Sequence, residues 1–214
     1  MEIKLDDNLL FKDIIQTKLN NENGGSINLI VRPECNQNCE YCYLYQYGKE
    51  SYPIQTRKDN KTIVNNIKLL MNYLIENNYY IQRMDLFAGD MFFDDLFFDI
   101  IKPIYDYYLY IDNNHMHKGP TAIAIPCNMS FCEDDEKVKK VEEIVYEFEL
   151  IHVNLYFSYS TDGKYAAGTR EKKELSDEHF HKIFKICNRH YWYLHPMISH
   201  ENISTAIQNY EWWK

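Results

Sequence analysis

Short apolar runs alternate with longer amphipathic stretches along most of the chain. The apolar runs at 27–32, 84–88, 121–126, 152–159 and 191–198 read as strands. Amphipathic stretches near 59–78, 93–110, 134–149, 176–190 and about 200–213 read as helices. Such alternation implies parallel βαβ units and an α/β class. The strands lack clean polar alternation in places, as expected where both faces are covered. Pro103 falls inside the second helical pattern and predicts a kink or a late start there. Parallel strands with helices outside close into a barrel or a partial one, with ligands at the C-terminal strand ends. The segment 20–26, with Gly24 and Gly25, separates an N-terminal extension (1–26) from this core (27–214). No internal repeat of useful strength appears.

Charge and composition narrow the class. The 214 residues suffice for one domain with a substantial core. A net charge of −9 disfavours a general nucleic-acid binder, which carries a basic face. The lysines at 137–140 and 172–173 are flanked by acids and read as solvated helix faces. The start, Met1-Glu2-Ile3-Lys4-Leu5-Asp6-Asp7, is acidic and lacks the apolar region of a signal peptide. No apolar run approaches the ~18 residues of a membrane span. The 6 cysteines do not form a secreted disulfide pattern, so a reduced, cytoplasmic setting is expected.

Three of those cysteines carry the chemistry. Cys35-Asn36-Gln37-Asn38-Cys39-Glu40-Tyr41-Cys42 has the spacing C-x3-C-x2-C and directly follows the first apolar run. Three thiolates on one loop can hold three irons of a 4Fe–4S cluster and leave the fourth open. Such clusters normally take four cysteines, so the trio requires an external ligand or a distant fourth residue. A structural zinc would also need a fourth ligand, and His115 and His117 are the nearest candidates. Inert core cysteines are a third reading. The Asn, Gln and Glu between these cysteines suit a loop better than a core. Cys127 and Cys132 read as free buried thiols, because no further cysteine cluster completes a second site. His195, near the end of the fifth strand, reads first as a core histidine.

The run Cys35 to Tyr43, with an aromatic residue just before its last cysteine, resembles the cluster loop of radical S-adenosylmethionine (SAM) enzymes. The family fold is a partial (β/α)6 barrel. Only five strands and a fifth helix can be counted here, so a sixth strand is missing and the core reads as C-terminally incomplete. The resemblance implies Cys35, Cys39 and Cys42 as iron ligands and SAM chelated on the open iron. Reductive cleavage of SAM would then give a 5′-deoxyadenosyl radical that takes a substrate hydrogen. Ala88-Gly89-Asp90-Met91 resembles the Gly-Gly-Glu-Pro-like motif that holds the SAM amino group, with Ala, Asp and Met as departures. Pro126-Cys127-Asn128-Met129-Ser130-Phe131 resembles the Thr-Asn-Gly-x-Leu segment of peptide-modifying members, through Asn128 and an apolar Phe131. Ser160-Thr161-Asp162-Gly163 resembles their Ser-x-Asp-Gly motif, and Arg170 stands where a downstream Arg follows.

By this resemblance the cofactors are a 4Fe–4S cluster and S-adenosyl-L-methionine. The cofactor-binding positions are Tyr41, Ala88, Gly89, Asp90, Asn128, Ser160, Asp162 and Arg170. The expected partners are a peptide or protein substrate and a reducing electron donor, without a membrane or nucleic acid. Two alternatives stay open. One is a family member acting on a small molecule or nucleic acid. The other is a non-catalytic Fe–S or zinc binding module, a degenerate barrel serving as a partner subunit.

Overall fold

The computed structural model describes residues 24–32, 34–35, 59–92, 94–161, 177–196 and 203–213. In chain order the elements are β1 (Gly25–Arg32), α1 (Asn60–Glu76), β2 (Ile81–Ala88), α2 (Leu96–Asn113) and β3 (Thr121–Cys127). After a short 3-10 turn (Ser130–Glu133) come α3 (Asp135–Leu150), β4 (Val153–Thr161), α4 (Asp177–His190), β5 (Tyr193–Pro196) and α5 (Ala206–Trp213). The five strands form one sheet in the order β1-β2-β3-β4-β5, and every neighbouring pair is parallel. The protein is therefore of the α/β class. Among the described residues no helix is long and apolar enough to cross a membrane.

An unreversed strand order has a consequence. Parallel crossovers are right-handed as a rule, so an order that never turns back stacks its connecting helices on one side. The burial pattern agrees. In β4, Val153, Leu155, Phe157, Tyr159 and Thr161 are buried, while the residues between them are half-buried or exposed. Register carries this alternation across the sheet. Ile27, Met84, Ile123 and Leu155 share one row, and Leu29 and Leu86 lie in the next row of that face. The opposite face carries Asn28, Asp85, Ala124 and Tyr156 in register. β4 thus alternates more cleanly than expected for a strand covered on both faces, while β3, with Ile123, Ala124 and Ile125 all buried, does not.

Local sequence explains the helix starts. The Asp59 side chain accepts a bond from the Thr62 N–H (2.7 Å) and caps α1, whose buried residues Ile63, Ile67, Met71 and Leu74 keep helical spacing. Asp134 caps α3 through the N–H groups of Glu136 and Lys137. In α2 the expected late start does not occur. The helix begins at Leu96 and continues through Pro103. Leu96, Phe97, Ile100, Ile101, Ile104, Tyr107, Tyr108 and Ile111 are all buried along it. Each such side chain contributes on the order of 1.5–3 kcal/mol, and together they outweigh the ~3 kcal/mol of an internal proline. Two strands start later than the apolar pattern indicates. His152 and Tyr191 have φ of 59° and 55°, a left-handed conformation that keeps each outside its strand.

The core on the helix face is rich in aromatic rings. Phe92, Phe97, Phe131 and Phe157 lie within 4.6–5.9 Å centroid distances of one another in several pairs, and Trp192 packs on Phe157 at 4.6 Å. Two tyrosines of α2 also serve the backbone. The Tyr107 hydroxyl donates to Tyr79 O and accepts from Ile81 N, both at 2.8 Å. The Tyr108 hydroxyl donates to Ile81 O at 3.1 Å. Burial holds both phenols above their ordinary range, so they stay neutral donors. Replacing Tyr107 with Phe leaves a backbone donor and a backbone acceptor unpaired in the interior. It is expected to cost about 1–3 kcal/mol, read as a lowered urea midpoint. Tyr110→Phe, which removes only an exposed bond to Asn78 Oδ1, is expected to leave the midpoint nearly unchanged.

Candidate functional site

The C-terminal ends of β1, β2 and β3 lie side by side, as their parallel register requires. Backbone bonds continue that register into the loops. Gly89 N donates to Arg32 O (3.0 Å) and Asp90 N donates to Glu34 O (2.8 Å). Cys35, which follows directly, is exposed at this rim. The chain after β2 is thus held against the chain that leads into the cysteine loop.

Asp90 extends the tie to the third loop. Its side chain is 1% exposed. Oδ1 accepts from Phe92 N (2.8 Å) and Oδ2 accepts from the Ser130 hydroxyl (2.7 Å). The first bond is an Asx turn and not a helix cap, since α2 begins only at Leu96. The second bond joins the β2 and β3 loops. Asn128 stands at the other end of the β3 loop and is 4% exposed. Its Oδ1 accepts from Ser130 N (3.0 Å), and its Nδ2 points at Cys35 Sγ, 3.9 Å away. Between them Met129 is fully buried with φ 58°, a left-handed conformation uncommon for a long side chain.

Arg32 anchors the group from below. Its guanidinium grips Asp94 through two bonds (Nη1–Oδ2 2.6 Å, Nη2–Oδ1 2.7 Å) and also donates to Asp90 O (2.8 Å) and Asn60 Oδ1 (3.2 Å). Asn60 Nδ2 closes the ring on Asp94 at 2.9 Å. Burial alone would raise the Asp94 carboxyl, but the bonds from Arg32 and Asn60 outweigh it and hold the group below its ordinary value.

The rim therefore unites Cys35, Ala88, Gly89, Asp90 and Asn128. Ser160 lies farther along the same edge, near the end of β4, in register with His195 of β5. His195 is exposed, so it is not the core histidine that its apolar neighbours imply. Cys39, Tyr41, Cys42, Asp162 and Arg170 lie outside the described residues. Among the described residues no three Cys, His, Asp or Glu side chains form a metal group. The distribution of histidines bears on zinc. His117 Nδ1 lies 3.0 Å from Thr121 Oγ1, at the start of β3. At 3.3 Å per residue that is about 20 Å from the rim, and His115 lies in the turn before it. Neither completes a zinc site with Cys35.

The other described thiols are unlike Cys35. Cys127, Cys132 and Cys187 are free and buried, as expected for the first two. Burial pushes all three thiols up, Cys187 to about 12. Sequence patterning missed Arg32, Asp94 and Ser130. An arginine closing an otherwise apolar strand was the available signal for Arg32, since a charge at such a position needs partners. Compared with known proteins, the chain matches no family model and no curated protein sequence.

Two outcomes test this geometry. At pH 8 in the metal-free protein, iodoacetamide is expected to alkylate Cys35 while Cys127, Cys132 and Cys187 stay protected until denaturant is added, read by peptide mass spectrometry. Lengthening Asp90 to Glu adds a methylene to a filled site and displaces both accepted bonds. A loss of about 1–3 kcal/mol in urea unfolding is expected. An unchanged or raised midpoint would mean that the carboxylate is not held between the loops.

Proposed function

We propose that the chain is a radical SAM enzyme of the peptide- or protein-modifying kind, built on a partial (β/α) barrel. The observation that carries the reading is the convergence of Cys35, Gly89 and Asn128 on one rim of a sheet wound in a single direction. In parallel α/β folds that rim is where ligands bind. A second observation supports it. In the motif that the β3 loop resembles, the residue after Asn is Gly, and Met129 adopts the left-handed backbone that such a Gly supplies.

The donor set fits the cofactor as far as it is described. Cys35 is exposed and rim-facing, whereas Cys127, Cys132 and Cys187 are buried in the core. Cys35, Cys39 and Cys42 would hold three irons, with SAM on the fourth. When bound, the cluster supplies the electron that breaks a carbon–sulfur bond of SAM, releasing methionine and a 5′-deoxyadenosyl group that takes a substrate hydrogen. The chain's own residues bind and orient. Both oxygens of the Asp90 carboxylate and its carbonyl are already engaged inside the loops. In this reading the SAM amine therefore falls to the backbone at Ala88 and Gly89, and Asp90 sets its position. Ser160, Asp162 and Arg170 serve the ribose and carboxylate, and Tyr41 lies on the cluster loop. The polar sheet face bearing Asn28, Asp85 and Tyr156 offers a surface for a polar substrate beside the rim. An external reductant supplies electrons, and a reduced cytosol suits both donor and thiolates.

Anaerobic reconstitution is expected to give a brown protein with about one 4Fe–4S cluster, and Cys35→Ala, Cys39→Ala and Cys42→Ala each to lose most of the iron. With reductant and SAM the wild type is expected to release 5′-deoxyadenosine. Arg170→Ala is expected to weaken SAM binding strongly, since a lost bidentate charged contact commonly costs on the order of 2–5 kcal/mol, while keeping the cluster. A full cluster in the triple cysteine variant would sink the site. A reduced protein that holds the cluster and SAM yet yields no 5′-deoxyadenosine would favour the non-catalytic module.

A further inference from the structure

We infer that Asn128 donates a hydrogen bond to the Cys35 sulfur and thereby raises the reduction potential of the cluster that Cys35 ligates. The inference rests on the reading above and assigns Asn128 to the iron–sulfur centre instead of to SAM. Three features of the chain carry it.

The first is the orientation of the amide. An Asn side chain has one acceptor end and one donor end. Ser130 N donates to Oδ1 at 3.0 Å, which fixes the acceptor end toward the β3 loop. The donor end, Nδ2, faces Cys35 Sγ at 3.9 Å. Sulfur is larger than oxygen, so such contacts run longer than N–H···O bonds. The second feature is rigidity. Asn128 is 4% exposed, and the fully buried, left-handed Met129 fixes the turn that follows it. Ser130 is tied in turn to Asp90 Oδ2 at 2.7 Å. The third is that the sulfur side is held to the same framework, because Asp90 N bonds Glu34 O immediately before Cys35. Donor and sulfur are positioned by one set of loop bonds.

The electrostatic sign follows directly. One-electron reduction of the cluster, with the electron taken from an external reductant and no proton moved, places more negative charge on the ligating sulfurs. An N–H directed at one of them is stronger in the reduced state and favours it. Hydrogen bonds to the sulfurs are among the factors that set cluster potentials. Loss of this donor shifts the midpoint potential to more negative values.

The test uses anaerobically reconstituted full-length protein and two variants. Asn128→Leu keeps the approximate shape and removes the donor. Asn128→Asp keeps the acceptor for Ser130 N, and so the turn, while removing the donor. Redox titration with titanium(III) citrate, followed by cluster absorbance and by electron paramagnetic resonance, reads the midpoint. Electron–nuclear double resonance after exchange into deuterium oxide reads the exchangeable proton near the cluster. Both variants are expected to hold wild-type iron, to titrate at more negative potential, and to lose one exchangeable-proton coupling. A wild-type midpoint together with a wild-type coupling in an iron-replete Asn128→Leu protein would overturn the inference and leave the enzyme reading intact. Loss of iron from both variants would make Asn128 structural and overturn it too. A wild-type protein that takes up no cluster would remove both readings.

Discussion

The buried guanidinium of Arg32 closes the end of β1 onto two other segments before any ligand is considered. A charge taken out of water is costly unless paired and hydrogen-bonded. Asp94, Asn60 and the Asp90 carbonyl supply acceptors to both terminal nitrogens of Arg32. The planar fork of arginine makes the demand geometric as well as electrostatic, since two parallel bonds to Asp94 admit one approach direction. The start of α1, the loop after β2 and the exit of β1 are thereby fixed relative to one another. Cys35 emerges three residues beyond this anchor, so the chain leaves β1 toward Cys35 from a point fixed by an ion pair.

Sheet topology decides what that anchor faces. A doubly wound sheet places its ligand crevice where the strand order reverses. This sheet has no reversal from β1 to β5, so no such crevice exists among its described strands. What remains is the row of C-terminal strand ends beside the face opposite the buried apolar rows. That face is polar in its middle rows. The Arg83 guanidinium bonds Asp85 on the same strand, with Nη2–Oδ1 at 2.9 Å, and Tyr156 stands in register two strands away. Its ring meets that of Tyr193 at 5.3 Å. A sheet face meant only for packing would not carry this set, since burying a charged pair adds little stability that apolar residues would not supply better.

Much of the fold was legible because it rests on local physics. Apolar runs of strand length and helical stripes such as Ile63-Ile67-Met71-Leu74 place the elements to within a few residues. The errors arose where one long-range term overrode a local one. Of the kink or late start expected at Pro103, the late start was overridden by the buried stripe of α2. The starts of β4 and β5 were moved by left-handed His152 and Tyr191, which no apolar count detects. At the site, the order of the strands put Cys35 on the rim beside Gly89 and Asn128, since each follows its own strand. Arg32, Asp94 and Ser130 were not legible, since their roles depend on partners in other loops. Asp90 was legible as a rim residue, but the direction of its carboxylate was not. That carboxylate is shared by two loops, and its second partner is Ser130, 40 positions away.

These inward-turned polar groups explain how irregular loops can form a firm rim. Loops ordinarily lie at the surface because their backbone groups need water. Here the Gly89 and Asp90 N–H groups, the Asp90 carboxylate and the Asn128 side-chain oxygen Oδ1 are bonded within the rim itself. The interaction is self-consistent only when all three loops are in place, so the rim is shaped before anything binds. The left-handed Met129 sits at its centre. A non-glycine residue in that conformation carries a strain of order 1–2 kcal/mol, and full burial of a methionine side chain supplies on the order of 1.5–3 kcal/mol in compensation. Glycine at this position would relieve the strain but give up the anchor. Methionine keeps the backbone turn that aims Asn128 and adds a side chain that holds the turn against the core. Polar groups prearranged this way lose little freedom when a ligand arrives.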